Sequence, residues 1–265
     1  MCTCAGGEKS RMNLHVCMLK ENDCYKAGRT IVPKGVMVHS TGANNPNLRR
    51  YVGPDDGLLG ESSSRNWNQS GVGACVHAFI GRQKDGTVAT YQTLPWTMRG
   101  WHSASGPKGS ANNTHISFEI CEDDLSDETY FRAVYQEAVE LTAYLCQRYG
   151  LDPKADGVVI CHQEGHQRGI ASNHADVLHW FPMYGKSMDD FRADVAQAME
   201  EETVTQEQFN KMMEVYLKSR TKLATSDWAK EPLRQAVERG FTDGTSPQGF
   251  ATRQEVAAML NAALK

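Results

Sequence analysis

The sequence predicts a mixed α/β domain, in which helices cover a β-sheet, followed by a small all-helical module. Two short apolar runs, Gly35–Val38 and Gly157–Cys161, are typical of buried strands, and a histidine follows each of them directly. A long segment with helical spacing, residues 127–149, lies between them. The last forty residues instead show a helix, a tight glycine turn and a second helix. Strands interleaved with helices predict a sheet with helices on its faces.

The composition is that of an ordinary folded protein. The chain has 265 residues, of which 40% are apolar and 23% charged, and its net charge of -4 excludes the basic stripe of a nucleic-acid-binding domain. No apolar run approaches the roughly 18 residues of a membrane span, so we expect no membrane insertion. Residues 1–13 form a predicted tail that lacks the apolar segment of a secretory signal.

The first part of the sheet is predicted from short alternating segments. Leu14–Lys20 is typical of an edge strand, and the polar residues 22–28 predict a turn or a single helical turn. Two β-rich runs, residues 75–80 and 87–92, flank an Asp-Gly pair at positions 85 and 86. Asp-Gly between such runs is a strong hairpin signal.

A further strand and its neighbouring helix follow. In His115–Cys121 apolar residues alternate with Ser117 and Glu119, which places those two polar side chains on one face. The helix over residues 127–149 has Asp127 or Ser126 as its N-cap and Gly150 as its stop.

Capping signals mark the last helix of the first domain and the helix that follows the domain boundary. Ser187 and Asp190 form a capping-box pattern that opens a helix to about Glu200. The run 199–205 predicts a boundary, and Thr205 with Gln208 opens another helix through about Lys222. We therefore expect one domain over residues 14–200 and a second over 203–265.

The eight cysteines predict no disulfide framework. Four of them, Cys75, Cys121, Cys146 and Cys161, lie inside apolar runs, as expected of reduced and buried thiols. Cys2 and Cys4 form a Cys-x-Cys pair in the polar tail, which is too short a motif to predict a metal site.

The histidines predict a catalytic metal centre. Such a centre needs three protein ligands that leave a fourth position open, and neutral imidazoles with one carboxylate or thiolate are a usual set. His39 and His162 stand at strand ends, where loops can bring them together. The third ligand is open at this point, because four side chains lie within reach in sequence: Asp176, His174, His179 and His166.

Several motifs resemble one enzyme family. His39-Ser-Thr-Gly, His102 after Trp101, Ile116-Ser-Phe-Glu119, and His162 with Asn173-His-Ala-Asp176 are similar to zinc-dependent N-acetylmuramoyl-L-alanine amidases of the second amidase family. That family includes phage endolysins and is related to the peptidoglycan recognition proteins. The resemblance spans about Leu14 to Ala198 and implies cleavage of the bond between the lactyl group of N-acetylmuramic acid and L-alanine in bacterial peptidoglycan.

The resemblance also implies roles for individual residues. His39, His162 and Asp176 would bind one Zn²⁺, His174 would assist catalysis, and Glu119 would be the general base. Val177 stands where the family often has proline, and the separation of His162 from Asp176 is longer than in several members. These departures keep His174 and His179 open as ligands.

Substrate-binding candidates come from a long polar loop, residues 42–70, and from a short aromatic segment. Polar loops on a rigid scaffold often carry recognition, and aromatic rings can stack on sugars. The resemblance adds two histidines near the site. The candidates are Asn44, Asn45, Trp67, His77, Trp96, Arg99, Trp101 and His102.

Two alternatives use the same chain differently. In a cysteine peptidase Cys161 would act with His162, but Cys161 ends an apolar strand, where we expect no helix N-terminus to lower its pKa. In a binding protein the same fold would hold peptidoglycan without cutting it. Complete ligands together with Glu119 favour the enzyme.

The module over residues 203–265 resembles the surface-layer homology type of wall-binding tail, chiefly through Ala236-Val-Glu-Arg-Gly and Thr252-Arg-Gln-Glu-Val-Ala. About one repeat is present, where tandem copies are usual. Dimerisation or simple capping of the first domain is the alternative role. The expected localisation is that of a phage or prophage lysin, made in the bacterial cytoplasm without a signal peptide and released to the wall through a holin. A host autolysin is the alternative.

Overall fold

The computed structural model describes residues 12–202 and 206–264. The predicted N-terminal tail lies outside these residues except for its last two positions, as do Cys2, Cys4 and Thr205 of the predicted capping box. The chain divides between Glu202 and Thr203 into two compact units.

A six-stranded sheet forms the centre of the first unit, in the order β1-β4-β3-β5-β2-β6. Only β3 and β4 pair antiparallel, and the other neighbours are parallel, so the predicted mixed sheet is confirmed. The strands are β1 Leu14–Val16, β2 Gly35–Ser40, β3 Ala78–Arg82, β4 Val88–Gln92, β5 His115–Ile120 and β6 Val159–Cys161.

Strand β2 is buried along its whole length because β5 and β6 flank it and helices cover the sheet. Its apolar run therefore matches a strand shielded on both faces. Gly35 is required at its start, since a Cβ there would lie 2.3 Å from the Val158 carbonyl oxygen. At the other end, His39 is paired with Glu119 of β5.

The predicted turns and helices of this unit are present with small shifts of their bounds. The Asp-Gly pair closes the β3–β4 hairpin, and the 22–28 segment forms a short helix. Ser187 and Asp190 cap each other reciprocally. The helices are α1 Asp23–Ala27, α2 Glu128–Tyr149, α3 His162–Gln167 and α4 Met188–Glu202.

Helix α2 shows why the sequence predicts its bounds well. The Asp127 side chain accepts a hydrogen bond from the Tyr130 amide at 3.0 Å, so Asp127 rather than Ser126 is the N-cap. Gly150 ends the helix in the left-handed conformation, where a residue with a Cβ would be strained. The apolar face of α2 packs into the main hydrophobic core with Phe131 and Trp180.

The second unit contains α5 Gln206–Arg220, α6 Lys230–Glu238 and α7 Arg253–Ala263. Gly240, with a φ of 74°, makes the predicted turn after α6. Among the described residues of the chain, no helix is long and apolar enough to cross a membrane.

The cysteines require a correction. Cys24 of α1 and Cys75, which precedes β3, form a disulfide across a sequence separation of 51 residues. The apolar run around Cys75 hid this bond, because a half-cystine is as well buried as a free thiol. Among the described residues, Cys17, Cys121, Cys146 and Cys161 are free thiols.

Candidate metal centre

Three side chains that are remote in sequence meet at one point of the first unit. The Nδ1 atom of His39 lies 3.0 Å from Oδ2 of Asp176, and Nδ1 of His162 lies 3.1 Å from the same oxygen. The two Nδ1 atoms are 3.2 Å apart. His39 and His162 are buried, and Asp176 is mostly so. These three residues form a group able to hold a metal ion.

Each of these residues stands at the end of a regular element. His39 lies near the C-terminal end of β2, and His162 is the first residue of α3, directly after β6. Because β2 and β6 are parallel neighbours, their ends lie at the same edge of the sheet. Asp176 opens a short 3-10 helix, Asp176–His179, with a left-handed φ of 44°. That backbone brings its carboxylate to the two imidazoles.

The donor set fits a zinc ion. Donors about 2.1 Å from a tetrahedral zinc ion lie roughly 3.4 Å apart, close to the separations found between these three atoms. Burial lowers the pKa of His39, which keeps its imidazole neutral as a ligand must be. Burial alone would raise the pKa of Asp176, but hydrogen bonds from His162 and His39 outweigh it and hold this pKa well below its usual range.

The far nitrogens of both imidazoles are also held. Nε2 of His39 is hydrogen bonded to Nδ1 of His102 at 2.9 Å, and Nε2 of His162 to the Ser172 hydroxyl at 3.1 Å. Both contacts leave the Nδ1 atoms directed at the point where the three side chains meet. Hydrogen-bond partners outside a metal site orient its histidine ligands in this way. The amide of His102 is in turn fixed by the Asn112 side chain at 2.7 Å.

Glu119 lies beside this group. Its strand pairs in register with β2, so its side chain leaves the sheet on the same face as His39. Oε2 of Glu119 is shielded from solvent and has no hydrogen-bond partner among the described residues. Burial, together with the charges of Asp176 and Glu122, raises the pKa of Glu119 well above its usual value. A carboxyl group with these properties binds a proton readily.

The remaining histidines that were open as ligands are not members of this group. His174 is exposed, and its ring centroid is 4.8 Å from that of His162. Nε2 of His179 is bonded to the Glu122 carboxylate at 3.1 Å, and Nδ1 of His166 to the Ala171 carbonyl at 3.3 Å. Asp176 is thus the third member of the group in this structure.

Trp101 and Arg99 line a shallow cavity of about 150 Å³. The Trp101 ring is 43% exposed, and the Arg99 guanidinium lies 5.2 Å from its centroid. Trp101 is followed in the chain by His102, which is hydrogen bonded to His39. Asn44 is exposed in the loop that follows β2, and the Asn45 amide is bonded to the Glu122 carbonyl.

Three predicted substrate-binding residues have side chains packed inside the protein. Both ring nitrogens of the fully buried His77 are bonded inside the protein, to Ser117 and to the Met98 carbonyl. Trp96 is buried in the main core and stacks on His77. The half-buried Trp67 packs against Phe79 at 5.0 Å. These rings pack inside the protein. A short aromatic run in the sequence does not distinguish a core residue from one that lines a substrate groove.

Sequence reasoning missed Glu122. Its carboxylate, 3% exposed, accepts a hydrogen bond from the Gly42 amide and pairs with His179, so it joins the loop after β2 to the 3-10 helix of Asp176. The available signal was its position directly after the predicted strand ending at Cys121.

Cys161 does not fit a catalytic nucleophile. Contrary to the expectation from sequence, it does stand at a helix N-terminus, since α3 begins at the next residue. Burial nevertheless raises the pKa of its thiol to about 12, whereas a reactive cysteine needs a lowered pKa. The chemistry at this edge of the sheet therefore belongs to the His/His/Asp group.

Comparisons with known proteins agree with this arrangement. A family model described as N-acetylmuramoyl-L-alanine amidase matches residues 28–178, a range that contains His39, Glu119, His162 and Asp176. No curated protein matches the chain.

Solved structures are similar to this chain. A Staphylococcus aureus hydrolase, AmiA, in complex with its ligand is 19% identical, with a TM-score of 0.50 over 72% of this chain and 84% of that one. A mutant endolysin from Bacillus subtilis is 20% identical, with a TM-score of 0.47 over 69% of this chain and 99% of the other. The PlyG catalytic domain is 22% identical, with a TM-score of 0.49 over 71% and 96%.

Proposed function

The chain belongs to the N-acetylmuramoyl-L-alanine amidase family, and on that premise we propose that it is a zinc-dependent peptidoglycan hydrolase. It cleaves the amide between the lactyl group of N-acetylmuramic acid and the L-alanine of the stem peptide. The convergence of His39, His162 and Asp176 carries the proposal, together with the buried Glu119, whose Oε2 has no hydrogen-bond partner among the described residues.

The residues divide the work between holding the ion and moving protons. Nδ1 of His39, Nδ1 of His162 and the Asp176 carboxylate would hold Zn²⁺, which would supply Lewis acidity toward a water molecule and a carbonyl group. Glu119 takes the proton from the attacking water and delivers it to the alanine nitrogen as the amide bond breaks. A carboxyl group whose burial favours the protonated form suits that relay.

The neighbouring side chains orient these groups. His102 and Ser172 hold the far nitrogens of the two imidazoles and so fix which nitrogen faces the ion. His174, exposed beside His162, donates a hydrogen bond to the developing oxyanion, a contribution typically worth about 3 kcal/mol for one donor. Trp101 and Arg99 offer an aromatic face and a cation for the sugar and the stem peptide.

The substitution Glu119→Gln tests the catalytic assignment. It should leave the zinc content of the purified protein unchanged and lower the release of stem peptide from soluble muropeptides by at least about 100-fold. Zinc content by plasma mass spectrometry and product identity by mass spectrometry are the measurements. Glu128→Gln, on the exposed face of α2, is the matched control and should keep full activity.

Two results would decide against parts of this proposal. Cleavage by the Glu119→Gln variant at the wild-type rate would remove Glu119 from the mechanism. Wild-type protein that contains zinc and binds muropeptides, but releases no stem peptide, would instead be a binding protein on the same fold.

We further propose that the protein acts at the bacterial wall as a phage or prophage lysin, and that residues 203–265 bind wall polymers. The Cys24–Cys75 disulfide supports action outside the reducing cytoplasm, since such bonds persist in oxidising surroundings. Nine basic residues against seven acidic ones in residues 203–265 are compatible with anionic wall polymers. Deletion of residues 203–265 should weaken sedimentation with cell walls and spare the hydrolysis of soluble muropeptides; unchanged sedimentation would contradict the wall role.

A further inference from the structure

The second unit leaves its apolar side chains largely exposed over the residues that the structure describes. Of its residues with a described exposure, 209–264, not one is buried. In the same range fourteen large apolar side chains are each at least 38% exposed. A folded unit of this size normally shields most of its apolar side chains, because their burial is the main force that offsets the loss of chain entropy.

Helix α5 carries the most regular of these surfaces, which we name the α5 stripe. Its members are Phe209, Met212, Met213, Tyr216 and Leu217, each at least 38% exposed. They recur at positions i, i+3, i+4, i+7 and i+8, which places them along one side of the helix. Only one aromatic contact within the unit reaches the stripe among the described residues, where Phe250 lies 6.4 Å from the Tyr216 ring centroid.

The polar residues of α5 lie on the other side. Lys211, Glu214 and Lys218 fall opposite the stripe, and the positions that border it include the uncharged Asn210 and Ser219. Arg220 continues the line of the stripe, but its Nε donates to the Gln248 carbonyl and its guanidinium lies over the Phe250 ring. Two copies of the α5 stripe can therefore pack against each other without bringing like charges together where they meet.

The second unit exposes enough apolar area for a protein interface. The five side chains of the α5 stripe, exposed to about half of their surface, present on the order of 400 Å² of apolar area, and the fourteen together present on the order of 1,000 Å² spread over the unit. The largest apolar patch of an ordinary monomer is roughly 300–600 Å², whereas each partner in a stable complex contributes about 800 Å².

We propose that a second copy of this chain covers the α5 stripe, so that the second unit is a self-association module. Homotypic contact matches one apolar stripe with another and shields both at once. Wall polysaccharides offer hydroxyl and phosphate groups, which complement the polar side of α5 rather than its methionine-rich side. The inference goes beyond the proposed hydrolysis, and self-association would place at least two catalytic units in one particle and raise the avidity for a polymeric substrate.

The test uses the full-length chain in size-exclusion chromatography with light scattering, between about 1 and 100 µM. Wild-type protein should be a dimer or larger at the upper concentrations. Met213→Glu should weaken self-association by at least about tenfold, because it places a charge in the seam. Val215→Glu is the matched control, since Val215 is 64% exposed on the same helix but lies off the stripe, and it should associate like the wild type.

A charged residue could also melt α5, so Met213→Gln provides a second variant with high helix propensity. Met213→Gln should weaken self-association. Its helical circular dichroism should equal that of the wild type when the two are compared in the same oligomeric state.

Wild-type protein that stays monomeric throughout the concentration range overturns the proposal, as does association that Met213→Glu and Met213→Gln leave unchanged. A monomer whose binding to cell walls is lost in the Met213 variants would instead assign the stripe to the wall. Muropeptide hydrolysis is measured in parallel and should be unaffected, which separates a failure of this proposal from a failure of the hydrolase assignment.

Discussion

Trp180 and Trp228 show how differently the two units of this chain use the same residue type. Trp180 is 0% exposed and packs against Phe131 and Tyr130 in the main core, whereas Trp228 is 82% exposed. The first unit shields enough surface to lower the pKa of His39 and to raise the pKa of Glu119 at its sheet edge. The second unit forms helices from local signals, such as the Thr252 and Glu255 capping box, and none of its residues 209–264 is buried. Local sequence patterns are thus sufficient to form helices, whereas a site whose residues have shifted pKa values requires a core that buries them.

Replacing each tryptophan by alanine tests this contrast most strongly. Trp180→Ala should cost about 3–5 kcal/mol in the free energy of unfolding of the first unit, since it removes a large buried ring. Trp228→Ala should change that free energy by no more than about 0.5 kcal/mol, because the side chain is exposed. Denaturant titration followed by fluorescence measures both. Equal losses in the two variants would show that the contrast between the units is wrong.

The disulfide sharpens the comparison, because it lies entirely in the first unit. Cys24→Ser should destabilise that unit by about 2–4 kcal/mol, since the bond closes a loop with a sequence separation of 51 residues. Cys17→Ser, which removes a half-buried free thiol, is the control and should have a much smaller effect. The melting temperature with and without a reducing agent provides the readout. Identical melting of wild type and Cys24→Ser under oxidising conditions would contradict the bond.

Glu137 makes the stability of the first unit depend on pH. Burial raises its pKa to about 7, although its Oε1 accepts hydrogen bonds from the Thr90 hydroxyl and the Asn13 amide. The folded state therefore binds the proton more tightly than the unfolded state, whose carboxyl has a pKa near 4.5. Stability from this residue is full below about pH 4.5 and is lost as the pH rises to about 7.

Glu137→Gln keeps the accepting oxygen and removes the titration. Its free energy of unfolding, relative to the wild type, should rise by up to about 3 kcal/mol between pH 4.5 and pH 8. Urea titrations at several pH values measure this difference. Glu128→Gln, at an exposed position of the same helix, should show no such trend. A Glu137→Gln curve parallel to the wild-type curve would mean that Glu137 is ionised freely in the folded protein.

Most elements of the fold could be predicted from sequence, because they follow from local chemistry. The bounds of α2 depend on Asp127 and Gly150, and the hairpin depends on Asp85 and Gly86, all of which act within a few residues. The sequence also predicted His39 and His162 as strand-end candidates for a metal site, and both belong to the group that could hold a metal ion. The Cys24–Cys75 bond was not predictable, because it depends on which distant segments the fold brings together.

The finer parts of the site depend on the same long-range packing. Asp176 could be separated from His174 and His179 only when the 3-10 helix placed its carboxylate 3.0 Å from His39 and Glu122 engaged His179. The burial of Trp96 and His77 likewise follows from helix α2 covering the sheet, which no local motif encodes.

The central claim is that His39, His162 and Asp176 hold one zinc ion, and isothermal titration of the chelator-treated full-length chain with Zn²⁺ tests it most directly. The wild type should bind one ion per chain. Asp176→Ala should weaken binding by at least about 100-fold, more than the loss of an outer hydrogen-bond partner would, and His179→Ala should bind nearly as tightly as the wild type. Wild-type affinity in Asp176→Ala, or a loss of binding in His179→Ala alone, would contradict this metal centre.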